Sequence, residues 1–432
     1  MSVTSRDILD MNAFHGDGDD PLVARRLASM GAASTLFFER PIEMVSAQGA
    51  EMVAADGIVF LDLYNNVPSV GHSHPRVVGA VQDQVARLNT NSRYLSAVTE
   101  AYSERLLATV PVPDARIAYT CSGSEANDLA LRIARLSTGK RGVVVTEAAY
   151  HGNTAAVTEV SPVSYRQGGV PDHVRLIPPP GPAYGDDIAG GFASALRAAI
   201  AGLEADGHGF AAFLCDSIFS SDGVFAFDWS ALVAAAEVTR TAGGLYIADE
   251  VQPGFGRTGR GLWAVAAAGV VPDILTMGKP MGNGFPMAAM VARADLLARF
   301  AEAFGYFNTF AGNPVAAAAG SAVLDVIEDE GLIANAAAVG ARLKDGLTAL
   351  DSPVIGAVRG CGLYLGVDIV AGDAPDPDGA TRLINALRDR RIMVGAAGRF
   401  GHTLKIRSPL CLSAEQADRF LGVFAELTAG PA

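Results

Sequence analysis

From about residue 75 the chain alternates short apolar runs with longer amphipathic stretches. The runs read "RIAYTC", "RGVVVTE", "HVRLIP", "GFAAFLCD", "GGLYIAD", "DILTMG" and "MAAMVA". Strands separated by helical segments such as "SEANDLALRIARLST" predict an α/β fold, a mostly parallel sheet with helices on both faces. Upstream, "IEMVSAQG" and "EMVAADGIVFLD" predict a small meander, preceded by an irregular arm with a short helix around "LVARRLASM". Beyond residue 312 come two long Ala-rich helices, the strands "VIGAVRG" and "GLYLGVDIV", a helix over 379–390 and the closing "TLKIRSPLCLS". This pattern divides the chain into an N-terminal arm with part of a small domain (1–75), a large domain (76–311) and a C-terminal α+β lobe (312–432).

Composition narrows the partners. The 432 residues are 50% hydrophobic and 18% charged, and 33 basic against 46 acidic side chains give a net charge of −13. That balance suits a soluble globular protein and argues against a nucleic-acid or anionic-membrane surface. Apolar runs such as "ALVAAAEV" are too short to span a bilayer. Cys121, Cys215, Cys361 and Cys411 stand far apart with no CxxC pair, so no zinc site or disulfide framework is expected. The acidic N-terminal stretch lacks the apolar core of a signal peptide, and the expectation is a cytoplasmic protein with reduced thiols.

In an open α/β sheet ligands gather where strands end and helices begin. "CSGSEAND" follows such a strand, and Ser122, Gly123 and Ser124 can either hold an anion at a helix N-terminus or simply cap the helix. "LYIADEVQPGFGRTG" ends a buried strand in Asp249 and Glu250. Alternation sends only one of the two into a site, unless Asp249 pairs with an arginine such as Arg257. "AAYHGNT" offers Tyr150, as a core aromatic or a stacking platform, and His151, as a base or a structural histidine. In "DILTMGKPMGNGFPMAAM" the only charge between Asp273 and Arg293 is Lys279. A buried ammonium needs a partner or must give up its proton.

Taken in order, "SGSEAND", "YHG", "ADEVQPGFGRTG", "MGKPMGNGFPMA" and "NTFAGNP" resemble the class-III aminotransferase family of pyridoxal-phosphate (PLP) enzymes, fold type I, from about residue 40 to the C-terminus. The resemblance implies a large PLP-binding domain plus a smaller α+β domain built from both termini. It makes Lys279 the Schiff-base lysine, Asp249 the partner of the pyridine nitrogen, Gln252 a contact to the ring hydroxyl and Tyr150 the stacking aromatic. Ser122, Gly123 and Ser124 would hold the phosphate. Thr309 would reach the phosphate of a neighbouring subunit, which implies a homodimer or higher oligomer with shared sites.

The family's usual carboxylate-clasping arginine and gating glutamate are replaced. "LKIRSPL" puts Lys405 in the arginine's place with Arg407 two residues on, and "CDSIFSSDG" offers Asp216 and Ser221 where glutamates stand. The Arg/Glu switch is therefore not expected. Stretches such as "YNNVPSVGHSHP", "LNTNSRYL" and "YFNTFAGNP" are similar to the ethanolamine-phosphate and phosphohydroxylysine phospho-lyase branch. There a small phosphorylated amine would lose phosphate, with Lys405, Arg407 or Arg93 as cations for the dianion and Tyr64 and Asn65 lining the pocket. The alternative is an ω-amine or β-amino-acid transaminase using pyruvate or a similar acceptor. A PLP-binding scaffold without catalysis is the third reading.

Overall fold

The computed structural model describes residues 20–31, 35–165, 168–225 and 229–429; residues 1–19 of the expected arm lie outside them. The helical piece is there, Pro21–Met30, its N-terminus capped by the Asp20 carboxylate. The meander follows as β1 (Met44–Gln48), β2 (Glu51–Ala54) and β3 (Val59–Asp62), paired antiparallel in sequence order.

All seven apolar runs form one sheet: β4 (Ala115–Thr120), β5 (Gly142–Thr146), β6 (Val174–Ile177), β7 (Phe210–Asp216), β8 (Leu245–Asp249), β9 (Ile274–Met277) and β10 (Ala288–Arg293), in the order β4-β10-β9-β8-β7-β5-β6. Only β10 runs against its neighbours, β4 and β9. β5 and β7 to β9 are almost wholly buried, as strands covered on both faces must be. The helix Ile188–Ala205 is long and apolar enough to cross a bilayer by length and composition. It buries Phe192, Leu196, Ile200 and Leu203 in the protein core.

The C-terminal part supplies helices Pro314–Asp329 and Leu332–Thr348, then β11 (Ile355–Cys361), β12 (Tyr364–Ala371), β13 (Ala374–Pro375), helix Pro377–Asp389, β14 (Ile392–Met393), β15 (Gly395–Ala397) and β16 (Thr403–Ile406). The second sheet runs β11-β12-β16-β15. β14 leaves that sheet and pairs parallel with β3, so segments from both ends of the chain share one sheet. The isolated pairing leaves Tyr64, just past β3, against Gly395 of β15, where a Cβ would come within 2.7 Å of the ring.

Candidate active site

The carboxyl ends of β4, β5, β7, β8 and β9 deliver their residues to one cavity of about 210 Å³, lined by Ser122, Gly123, Ser124, Tyr150, His151, Gly152, Asp216, Asp249, Val251, Gln252 and Lys279. Parallel strands point the same ends the same way, so residues far apart in sequence meet there.

Lys279 opens a short 3-10 turn directly after β9. Asn283, closing the turn at φ 49°, accepts from Val70 N at 3.0 Å and donates to Gly71 O at 2.9 Å, which ties the turn to the N-terminal segment. Burial, and then the Arg407 charge, push the Lys279 amine down to about 8, against the pull of Asp249 and Asp216. A larger share of the amine is therefore neutral and nucleophilic near neutrality than in an ordinary lysine, which lowers the cost of a lysine in an apolar segment.

Asp249 is the member of its pair that enters the cavity. Its Oδ2 meets His151 Nδ1 at 2.7 Å and accepts from Asn127 Nδ2 at 2.9 Å, while Oδ1 accepts from Val251 N at 3.0 Å. His151 thus orients a carboxylate, the structural role. Glu250 turns the other way, accepting from Ser217 Oγ at 2.6 Å and from the backbone of Ala264 and Val265; burial raises it to about 7. The alternative pairing of Asp249 with Arg257 is not formed, since the Arg257 guanidinium donates to the carbonyls of Ser408 and Leu363.

The Gly123–Thr138 helix starts on the cavity wall, and here capping and anion-binding geometry coincide. Ser122 Oγ accepts from Glu125 N at 3.3 Å, while Ser122, Gly123 and Ser124 all face the cavity. A Cβ on Gly123 would lie 2.9 Å from Val251 Cγ2, and one on Gly152 2.4 Å from Ser124 Oγ. Only glycine permits this close approach.

Gln252 lines the cavity with its amide oxygen already accepting from Arg407 Nη1 at 2.6 Å, Tyr364 Oη at 3.0 Å and Asn66 Nδ2 at 3.3 Å. Its nitrogen donates to Ser220 Oγ at 2.9 Å, and that hydroxyl donates to Asp216. One amide N–H remains for a ligand. Ser221 is buried, its carbonyl accepting from Gly398 N at 2.9 Å; among the described residues the Arg407 guanidinium is hydrogen-bonded to Asn66 and Gln252 and to no glutamate.

Lys405, on β16, and Arg407, just beyond it, do not line the cavity but adjoin it. Both are buried. Arg407 stacks over the Tyr64 ring at 4.6 Å and reaches Asn66 Oδ1 at 3.2 Å, with Nε buried and unpartnered. Lys405 lies opposite Gly366 of β12 and Gly395 of β15 and interacts electrostatically with Arg407, Lys279 and Asp216. Tyr64 and Asn65 line a separate apolar pocket of about 300 Å³. Asn65 is turned back onto Asp62, so Asn66, not Asn65, meets the arginine. Arg93 is exposed and packs on the Phe307 ring at 4.0 Å, outside the cavity of this chain. Thr309 is likewise exposed and outside it.

Asn127, Asn66, Ser220, Tyr364 and Thr276 belong to the network and were not singled out from sequence. Asn127 is the most consequential, because it also donates to His151 O at 2.8 Å and accepts from Thr276 Oγ1 at 2.7 Å.

These residues fit PLP. A glycine-walled helix N-terminus suits the phosphate, Asp249 Oδ1 keeps lone-pair capacity for a protonated ring nitrogen, and the neutral-prone Lys279 amine shares the cavity. Fold and site define a PLP enzyme of fold type I. The chain belongs to the class-III aminotransferase family, whose model matches residues 37–427. It is 38% identical over 92% of its length (84% of the relative) to "Alanine--glyoxylate aminotransferase 2-like" of Drosophila melanogaster. It is 35% identical over 91% (90% of the relative) to "Ethanolamine-phosphate phospho-lyase homolog 1" of Caenorhabditis elegans. Among solved structures, a phospholyase from Arthrobacter in complex with phosphoethanolamine is similar at TM-score 0.90 and 41% identity, covering 95% of this chain and all of that one.

Proposed function

We propose that this enzyme is a phospho-lyase that releases phosphate, ammonia and an aldehyde from a small amine phosphorylated on the neighbouring carbon. The observation that carries the reading is the pair Lys405 and Arg407, both buried at the end of β16 near Lys279, neither with a carboxylate partner among the described residues and Arg407 Nε without a hydrogen bond. Unpaired buried cations are costly, and a phosphate dianion relieves that cost through charge-assisted hydrogen bonds. Bound at Lys279, PLP supplies an electron sink for the pair released when the carbon beside the amine loses its proton. Lys279 takes that proton, Asp249 holds the ring nitrogen's charge, and His151 and Asn127 hold Asp249. Ser122, Gly123 and Ser124 grip the cofactor's own phosphate, Tyr150 covers the ring and Gln252 offers its spare N–H. Arg407, braced by Tyr64 and Asn66, binds the substrate dianion with Lys405.

The relatives named as alanine–glyoxylate aminotransferases favour transamination as the second reading. One assay separates the two: phosphoethanolamine supplied without any keto acid. Release of phosphate, ammonia and acetaldehyde in equal amounts supports elimination. Turnover only with pyruvate present, with alanine formed, overturns it.

We place two such chains in a homodimer, with Thr309 of each reaching the other's cofactor phosphate and exposed aromatics around it (Phe304, Tyr306, Phe307, Phe310) covered. With its four cysteines free, we place the enzyme in the cytoplasm.

A further inference from the structure

If the substrate is a phosphomonoester, the reading above leaves one charge unaccounted for. At neutral pH the substrate's phosphate is largely a dianion. When the carbon–oxygen bond breaks, the bonding pair stays on oxygen, so the group would depart as a trianion more basic than a lysine amine. A cation alone can attract that charge; a proton removes it. Among the groups placed around the phosphate, Arg407 cannot give up a proton at any ordinary pH, whereas a lysine can.

The position of Lys405 suits that task. Strand alternation puts Lys405 on the face of β16 opposite that of Leu404 and Ile406, and Arg407 is the first residue beyond the strand. On both neighbouring strands the residue opposite Lys405 is glycine, Gly366 and Gly395, so no cross-strand side chain flanks it; the side chains packed over those two glycines are Val224 and Tyr64. Among the described residues its ammonium has neither a hydrogen bond nor an ion pair; the charged groups nearest in effect are Arg407, Lys279 and Asp216. Two of these, Lys279 and Asp216, line the cavity.

We infer that Lys405 is the general acid of the elimination, donating its proton to the bridging oxygen of the phosphate as the carbon–oxygen bond breaks. The inference rests on the phospho-lyase reading. The C–H bond breaks with its proton going to Lys279, and its electron pair becomes the new carbon–carbon π bond. The C–O pair stays on oxygen, an N–H bond of Lys405 breaks, and an O–H bond forms, so that phosphate leaves as the hydrogen phosphate dianion. Lys279 ends one proton richer and Lys405 one poorer; exchange with water restores both, and nothing is oxidised or reduced. Burial and the two neighbouring cations hold the free Lys405 amine well below its ordinary range, which makes it a ready donor once the dianion has drawn a proton onto it.

The test is a leaving-group comparison in the holoenzyme, with phosphoethanolamine against 2-aminoethyl sulfate, because sulfate departs as a weakly basic dianion that needs no proton. Lys405→Arg keeps the charge and removes the donor. The expected result is a fall in kcat of about 10²-fold or more on the phosphate ester, with KM little changed, and a fall of less than about tenfold on the sulfate. Calorimetric titration of inorganic phosphate in two buffers of different ionisation enthalpy gives a second readout: proton uptake by the wild type at mildly alkaline pH, lost in Lys405→Arg. If that variant does not fold, Lys405→Ala with added small primary amines replaces it, and rescue on the phosphate ester should rise with amine acidity.

Equal losses on both esters, or no loss on either, overturn the acid role while the lyase reading stands. A wild type that releases no phosphate from phosphoethanolamine removes that reading itself and this inference with it.

Discussion

At the residue scale the site turns on how burial redistributes protons. Lys279 is pushed down to about 8 by its surroundings, whereas an ordinary lysine titrates near 10.4. Only the neutral amine attacks a carbonyl, so the rate at which the cofactor-free chain takes up PLP should rise with pH, reach half its plateau near pH 8, and level off above. Rapid-mixing absorbance would show it, and a rate still climbing at pH 10 would contradict the buried setting. Lys279→Ala should show no lysine-linked band at all. Lys279, Asp249 and Tyr150 were legible because each sits in a local pattern, a lone charge in an apolar run, a carboxylate at a strand end and an aromatic after a strand, whereas Gln252 was read through the family resemblance alone. Asn127 was not legible. One polar residue in the first turns of a helix looks like surface, and its partners Asp249 and Thr276 are 122 and 149 residues away. Asn65 and Asn66 present the same difficulty in miniature, since only the Asp62 carboxylate decides which of two adjacent amides is turned away.

Among elements, the apolar runs announced all seven strands of the large sheet, because burial on both faces leaves its mark on composition. Strand direction leaves none. Nothing in "MAAMVA" says that β10 runs against β4 and β9, and nothing in the two-residue β14 says that it joins β3. Those pairings fix how β15 and β16 stand against Tyr64, and through it Arg407. Gly395 is the point of contact. Its Cβ in Gly395→Ala would fall 2.7 Å from the Tyr64 ring, closer than packing allows, and overpacking of this kind costs roughly 1–3 kcal/mol. The expected outcome is a displaced Tyr64 and a loosened Arg407: KM for phosphoethanolamine up about tenfold, equal to about 1.4 kcal/mol, with kcat nearly kept. A loss confined to kcat would mean that Tyr64 does not brace the anion site.

At the scale of the whole molecule the single chain leaves something unfinished. Thr309 matched the cofactor motif yet lies outside the cavity, on a loop held to its own chain by Asn308, whose amide donates to Glu125 at 3.1 Å and whose oxygen accepts from Phe310 and Ala311. The loop is thus fixed while its faces are bare: Phe310 is 72% exposed, and Tyr94 and Leu95, in the segment that sets Arg93 over Phe307, are 68% and 93% exposed. In the homodimer proposed above, a two-fold axis would set this loop of each copy against the other, since each presents the same patch. The arrangement makes a sharp prediction. Lys279→Ala and Thr309→Glu should each be nearly inactive alone, one lacking the amine and the other placing a negative charge beside the cofactor phosphate. In a mixed dimer, however, one site draws Lys279 from one chain and Thr309 from the other and is whole, while its twin carries both lesions. Random reassortment of equal amounts makes half the dimers mixed, each with one working site of two. Activity should therefore return to about a quarter of the wild-type value. No recovery after co-expression, with mixed dimers verified by differently tagged chains, would mean that each subunit completes its own site.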